Sequence, residues 1–157
     1  MAKNRTCVLI LENLRSVENT ASIFRTAEGL GVSKIILVGT TPAPLDRFGR
    51  NRTDFTKVSL GSEEMIPWEY KKEIMETLSG LKKKDFQIVS LELTHESIDI
   101  KDFKPNPKFA LVVGNEVDGV SKASLEASDA MVEIPMRGKK ESLNVSVSTG
   151  IALFVLN

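Results

Sequence analysis

Residues Thr6–Gly39 read TCVLILENLRSVENTASIFRTAEGLGVSKIILVG, and the order of apolar runs and punctuation in this stretch decides the fold. TCVLIL, Thr6–Leu11, is a continuous apolar run of strand length, the pattern of a strand buried on both faces of a parallel sheet. A polar loop, Glu12–Arg15, follows. Ser16 is placed to cap a helix, and Glu18 lies in the first turn, where the helix dipole favours an acid. Val17, Ala21, Phe24 and Ala27 recur on one face of that helix, and Gly29 or Gly31 ends it. KIILVG, Lys34–Gly39, is a second buried strand. The stretch is therefore one βαβ unit.

The pattern repeats along the chain. Strands are expected at Phe86–Leu93, Phe109–Gly114 and Ala130–Pro135. Helices are expected from Pro67 to about Lys84, at Ser121–Ser128, and from Ser142 to the C-terminus, with a short helix within Ser97–Phe103. Pro67 suits a first helical turn, and Lys82, Lys83 and Lys84 suit a helix C-terminus. Residues 40–66 show no clear period and are rich in Pro, Gly and Arg, as functional loops are. Strands alternating with helices make an α/β fold, a mostly parallel sheet flanked by helices on both faces. Ligands of such sheets bind at the carboxyl ends of the strands. That edge gathers the loops Glu12–Ser16, Thr40–Pro67, Gly114–Gly119 and Pro135–Ser142.

The bulk numbers narrow the function classes. The chain has 157 residues, 41% apolar and 27% charged, with 21 Lys plus Arg against 21 Asp plus Glu. This is the composition of one ordinary globular domain spanning residues 1–157. A net charge of zero means that any nucleic-acid-binding surface must be local. The single cysteine, Cys7, sits in an apolar run, and the single histidine, His95, is far from it in sequence. An intrachain disulfide and a thiolate metal cage are excluded, and no metal is expected. No apolar run reaches the length of a membrane span, and MAKNRT leads straight into a strand with no signal peptide. The expected location is cytoplasmic, for an enzyme or a binding module.

Three stretches carry candidate chemistry. GNEVDG, Gly114–Gly119, reads either as a strand-to-helix turn with Asn115 and Asp118 as turn residues, or as a glycine-flanked backbone that lets a flat ligand approach closely. It is neither a GxGxxG fingerprint nor a Walker loop. IPMRGKKESLNVSVSTGIALF, Ile134–Phe154, runs from a strand through a basic turn into a helix capped by Ser142. Its free amides face back over the turn. Leu143, Val147, Ile151 and Phe154 or Val155 are read as the core face of that helix, and Ser146, Thr149 and Gly150 as a small-residue face for close packing. Asn13, Asn19 and Arg25 are evenly spaced from the first loop into the first helix. Arg25 is either a solvated helix arginine or a bidentate contact to a phosphate or ribose.

Taken together, NTASIFRTAEGLG (Asn19–Gly31), LVVGNEVDG (Leu111–Gly119) and IPMRGKKESLNVSVSTGIAL (Ile134–Leu153) closely resemble, in order, the three motifs of the SpoU family of RNA ribose 2′-O-methyltransferases, within the SPOUT superfamily. The resemblance implies a deep trefoil knot near the C-terminus, S-adenosyl-L-methionine as cofactor, and a homodimer with the active site near its interface. Residue by residue, it implies a cofactor site of Gly114, Asn115, Glu116, Gly119, Ile134, Met136, Ser142, Leu143 and Asn144, with Leu91 and Leu93 joining by position. It implies catalytic roles for Asn19, Arg25, Glu116, Ser142 and Asn144, with Arg25 foremost. A guanidinium that keeps its proton favours positioning and electrostatics over proton abstraction for Arg25, and Glu116 is assigned to organising the loop and substrate.

A ribose 2′-hydroxyl means an RNA substrate. Arg15, Arg47, Arg50, Arg52, Lys57, Arg137, Lys139 and Lys140 are the expected RNA-binding cations, all on loops of the catalytic edge. TKVSLGSEEMIPW, Thr56–Trp68, is similar to a stretch of the family's tRNA-modifying branch, which puts tRNA first and rRNA second. No added RNA-binding domain is expected. The rival is a non-catalytic RNA- or nucleotide-binding module on the same fold, which predicts loss of Arg25, Asn144 or the second-motif glycines, and all of these are present.

Overall fold

The computed structural model describes residues 4–157. Among these residues seven strands form one sheet: β1 (Thr6–Glu12), β2 (Lys34–Val38), β3 (Trp68–Lys71), β4 (Gln87–Leu91), β5 (Ile98–Asp99), β6 (Lys108–Val113) and β7 (Ala130–Glu133). Their order is β3-β2-β1-β6-β4-β7-β5, and every neighbouring pair is parallel. The described residues also form six α-helices around the sheet: α1 (Val17–Gly29), α2 (Thr53–Ser59), α3 (Ser62–Met65), α4 (Ile74–Lys83), α5 (Lys122–Ala127) and α6 (Val145–Leu156).

The central strands β1 and β6 carry continuous apolar runs because both faces are covered. Cys7, Leu9 and Leu11 of β1, with Ile35, Leu37, Phe109 and Leu111, pack under α1, α2 and α6 through Phe24, Phe55 and Leu153. Val8, Ile10, Ile36, Ala110 and Val112 point the other way, against Leu78 and Leu81 of α4. Register places Leu9 opposite both Ile35 and Leu111, so each layer is continuous across three strands. Cys7 is fully buried, and burial pushes its thiol up to about 12, which fits packing rather than chemistry.

The structure corrects several sequence expectations. Residues 67–84 are not one helix. Trp68–Lys71 adds β3 to the edge of the sheet, and the Pro67 carbonyl accepts the Ile35 amide at 2.9 Å. Only Ile74–Lys83 is helical. Residues 40–66 hold two short helices, α2 and α3, with Phe55 of α2 edge-on to Phe24 of α1 at 5.2 Å between centroids. Within 97–103 the chain forms β5 and a single 3-10 turn, Ile100–Asp102.

The last helix differs most. Its cap is Asn144, whose Oδ1 accepts the Ser146 amide at 2.9 Å, and Ser142 lies exposed in the preceding loop. Its buried residues are Val145, Thr149, Ala152, Leu153 and Leu156. Val147, Ile151, Phe154 and Val155, read from sequence as the core face, are exposed, and so is Leu143. Two residues of offset turn a helix by about 200°, so the two sets lie on opposite sides. Arg5 and Asn157 fasten the helix end, Arg5 donating to the Leu156 carbonyl at 2.7 Å and Asn157 to that of Leu30 at 2.9 Å.

Candidate functional site

The strand order sets the loops after β1, β6, β4 and β7 side by side at the carboxyl edge. A parallel sheet takes its ligands there. The structure joins these loops by carboxylates that accept backbone amides of a neighbouring loop. Glu116 accepts from the Arg15 amide at 3.1 Å and the Ser16 amide at 3.0 Å. Burial works against its charge, but the amides of Glu116 itself, Arg15 and Ser16 and the Asn19 side chain outweigh it, holding the carboxyl below its ordinary range. The Asn19 side chain thus lies beside the Glu116 carboxylate, where the start of α1 meets the 114–119 loop. A carboxylate held below its usual pKa is a poor proton acceptor, which suits the organising role.

The 114–119 loop is itself rigid. Asn115 and Gly119 exchange backbone hydrogen bonds at 3.1 and 2.9 Å. The Asn115 Oδ1 accepts the amides of Val117 and Asp118, and its Nδ2 donates to the Asn13 carbonyl at 2.7 Å. Asn115 therefore acts as the turn residue of one of the two readings, and the space beside the two glycines is filled by the loop's own backbone and the Glu92 carboxylate. Gly114 is required by its own loop, because a Cβ there would overlap the Gly119 carbonyl group and the Val120 nitrogen.

Two further carboxylates complete the set, and sequence reasoning missed both. Glu92, just beyond β4, accepts the Val120 amide at 2.8 Å and lies against Gly119. Glu12, the last residue of β1, is 2% exposed and accepts from the Ser121 amide, the Ser121 hydroxyl and the Ser124 hydroxyl at 2.8–2.9 Å. The usable signal was an acid ending a doubly buried strand, since a buried carboxyl needs donors and Ser121 caps the next helix. Glu12→Gln keeps the shape and loses an acceptor. It should lower unfolding stability by about 1–2 kcal/mol in urea titration, and no change in midpoint would remove Glu12 from the framework.

The remaining predicted cofactor residues lie along the same edge without direct bonds to one another. Leu91 and Ile134 are half-buried against the core, Leu93 is 67% exposed, and Met136 is half-buried. Ser142, Leu143 and Asn144 are exposed, with the Asn144 side chain bonded only to Ser146 among the described residues. Arg25 is exposed on α1, and its side chain makes no hydrogen bond or ion pair among the described residues. Of the predicted RNA-binding cations, Arg15 pairs with Asp118 at 3.7 Å, Arg50 with Asp46 at 3.1 Å and Arg52 with Asp54 at 2.8 Å. Arg47, Lys57, Arg137, Lys139 and Lys140 are exposed without an ion pair among the described residues. Lys57 is on α2 and Arg52 at its N-cap position, so neither is a plain loop residue as expected. No helix among the described residues is long and apolar enough to cross a membrane.

This arrangement has known counterparts. A family model described as the SpoU rRNA Methylase family matches residues 6–154. The chain is 34% identical over 93% of its length to the 23S rRNA (guanosine-2′-O-)-methyltransferase RlmB of Neisseria meningitidis, and spans 56% of that protein. It is 30% identical over 97% of its length to the tRNA (guanosine(18)-2′-O)-methyltransferase of Aquifex aeolicus, spanning 69% of it. Among solved structures, the AdoMet-bound rRNA methyltransferase of Sinorhizobium meliloti superposes with a TM-score of 0.83 at 28% identity, covering 98% of this chain and 56% of that one. The SpoU fold expected from the three motifs, a parallel sheet flanked by helices, is the one observed. This chain belongs to the SpoU rRNA methylase family.

Proposed function

We propose that this protein transfers a methyl group from S-adenosyl-L-methionine to a ribose 2′-hydroxyl of structured RNA. The observation that carries the reading is the joining of the loop that leads into the first motif to the second-motif loop, through Glu116 on the Arg15 and Ser16 amides with Asn19 beside it, on the edge that also bears Leu93, Leu143 and Asn144. The residues present fit the cofactor. Exposed Leu93 and Leu143 with half-buried Met136 offer apolar surface to a flat adenine, and the 114–119 backbone and the Ser142 and Asn144 side chains offer polar contacts. When bound, the cofactor supplies an electrophilic methyl on a sulfonium, so the protein's task is to align the acceptor oxygen and ease loss of its proton. Arg25 positions the RNA by a bidentate phosphate or ribose contact, and Asn19 and Glu116 hold the loop against which the acceptor rests.

The assembly belongs to this reading. A groove of about 540 Å³ runs between α1 and α6, lined by Ser22, Thr26, Val147, Gly150 and Phe154. The exposed apolar face of α6, with Phe154 76% exposed, supports a homodimer formed across this groove beside Arg25. The excursion from β6 out to β7 beyond β4, and back to α6 against α1, supports the trefoil threading that the resemblance implies. Phe154→Asp should convert the dimer to a monomer in sedimentation, with the helical signal retained. A variant that still sediments as a dimer would exclude this face.

The test of the activity is transfer of labelled methyl groups to bulk tRNA and, separately, to ribosomal RNA, each from cells lacking the protein. Label recovered in 2′-O-methylnucleosides of tRNA is the expected result. Label in ribosomal RNA alone would move the substrate to the second choice. Absence of both transfer and calorimetric cofactor binding would favour the non-catalytic binding module.

A further inference from the structure

The loop after β2 carries a feature that neither the sheet nor the amide-tied loops use. Phe48 is 66% exposed, and the guanidinium carbons of Arg47 and Arg50 lie 4.8 and 5.0 Å from its ring centroid. A single exposed aromatic is ordinary surface, but this one is held in a built turn. The Asp46 carboxylate accepts from the Phe48 amide at 2.8 Å, the Arg50 amide at 3.0 Å and the Arg50 Nε at 3.1 Å. The Arg50 carbonyl accepts the Asp46 amide at 2.8 Å, Leu45 and Asn51 pair as an antiparallel bridge, and Gly49 supplies the φ of 76° that closes the turn. Between Leu45 and Arg52 there are three arginines and one acid, and that acid is engaged in shaping the turn. The loop's start is tied to the candidate site, with the Thr40 amide on Asn13 Oδ1 at 3.1 Å and the Leu14 amide on Thr41 Oγ1 at 3.0 Å.

We propose that Phe48, with Arg47 and Arg50, is a stacking platform for an unpaired nucleobase of the RNA, the guanidinium groups also meeting its flanking phosphates. The inference rests on the RNA-methyltransferase reading and adds a substrate class to it: RNA with an unstacked nucleotide near the methylated ribose. A protein partner would call for an apolar pocket around the aromatic anchor, whereas the neighbours of Phe48 in the turn are Asp46, Arg47, Gly49 and Arg50. Aromatic rings and guanidinium planes are the surfaces on which splayed bases stack, and cations beside them match phosphates. Bases inside a duplex show no free face, so the platform discriminates loops from helices.

The experiment measures binding to a hairpin RNA whose loop carries a fluorescent purine analogue, and to a blunt RNA duplex, without cofactor turnover. Phe48→Ala should weaken hairpin binding by about tenfold or more and abolish the fluorescence change on binding. It should leave duplex affinity, S-adenosylhomocysteine affinity and the salt slope of hairpin binding unchanged. Phe48→Trp should restore hairpin affinity, which separates stacking from a folding defect. Arg47→Ala should instead lower the salt slope by about one. Hairpin binding by Phe48→Ala equal to wild type would overturn the platform and assign the surface to a protein. Equal loss on hairpin and duplex would overturn it as general electrostatics. Failure of methyl transfer with Phe48-dependent hairpin binding intact would remove the enzyme reading and leave the platform standing.

Discussion

Arg25→Ala should lower methyl transfer by about two to three orders of magnitude, with fold and S-adenosylmethionine affinity unchanged. The side chain is exposed and makes no bond among the described residues, so its loss costs the folded state little. It lies six residues beyond Asn19 on α1, about 9 Å along the helix axis, within reach of an RNA bound against the Asn19–Glu116 contact. An interaction made with the substrate near the reacting oxygen appears in kcat as well as KM. Arg25→Lys should recover only part of the rate, because an ammonium does not reproduce a planar two-pronged contact. The check is single-turnover transfer to saturating RNA alongside calorimetric cofactor titration. Transfer by Arg25→Ala within a few-fold of wild type would remove Arg25 from the reaction.

Gly114→Ala should cost about 3 kcal/mol of stability and at least tenfold in cofactor affinity. The added methyl would meet backbone, the Gly119 carbonyl group and the Val120 nitrogen, rather than the end of a mobile side chain. Neither can retreat freely. Gly119 is paired with Asn115 in both directions, and the Val120 amide is held by Glu92 at 2.8 Å. The strain must therefore move the whole 114–119 loop, which is a wall of the proposed cofactor site. Thermal unfolding and calorimetry with S-adenosylhomocysteine read the two effects separately. A Gly114→Ala protein with wild-type melting and wild-type affinity would mean the loop has slack that its hydrogen bonds do not suggest.

The βαβ unit at the N-terminus was legible because strands buried on both faces leave continuous apolar runs, and because Ser16 and Gly31 punctuate the helix between them. The edge strand β3 was not legible. Its residues, Trp68–Lys71, pair on one side only and are half-exposed or exposed, so no apolar run marks them. The last helix misled differently. It is apolar on two opposite sides, and periodicity alone does not say which side meets the sheet. Ser142 and Asn144 are both good capping residues two positions apart, and only the path of the preceding loop chose Asn144. Among site residues, the motifs marked Asn19, Glu116 and the second-motif glycines. Glu92 escaped because its partner is a backbone amide more than twenty residues away, which leaves no side-chain signature, and Glu12 because the Ser121 amide and the Ser121 and Ser124 hydroxyls that it accepts from come from a helix start far along the chain.

That last point governs how this site tolerates change. Glu116 grips the amides of Arg15 and Ser16, Glu92 that of Val120 and Glu12 that of Ser121. An amide belongs to any residue except proline, so Arg15 and Val120 can vary widely in side chain and keep the tie, whereas Ser16 and Ser121 also cap helices with their hydroxyls. Spacing has no such freedom, since one inserted residue moves every later amide by about 3.5 Å, beyond the reach of a hydrogen bond. The rim of the site is therefore written in loop length more than in residue identity, and an engineer who wishes to re-aim Arg15 or Val117 has the alphabet to work with but not the ruler.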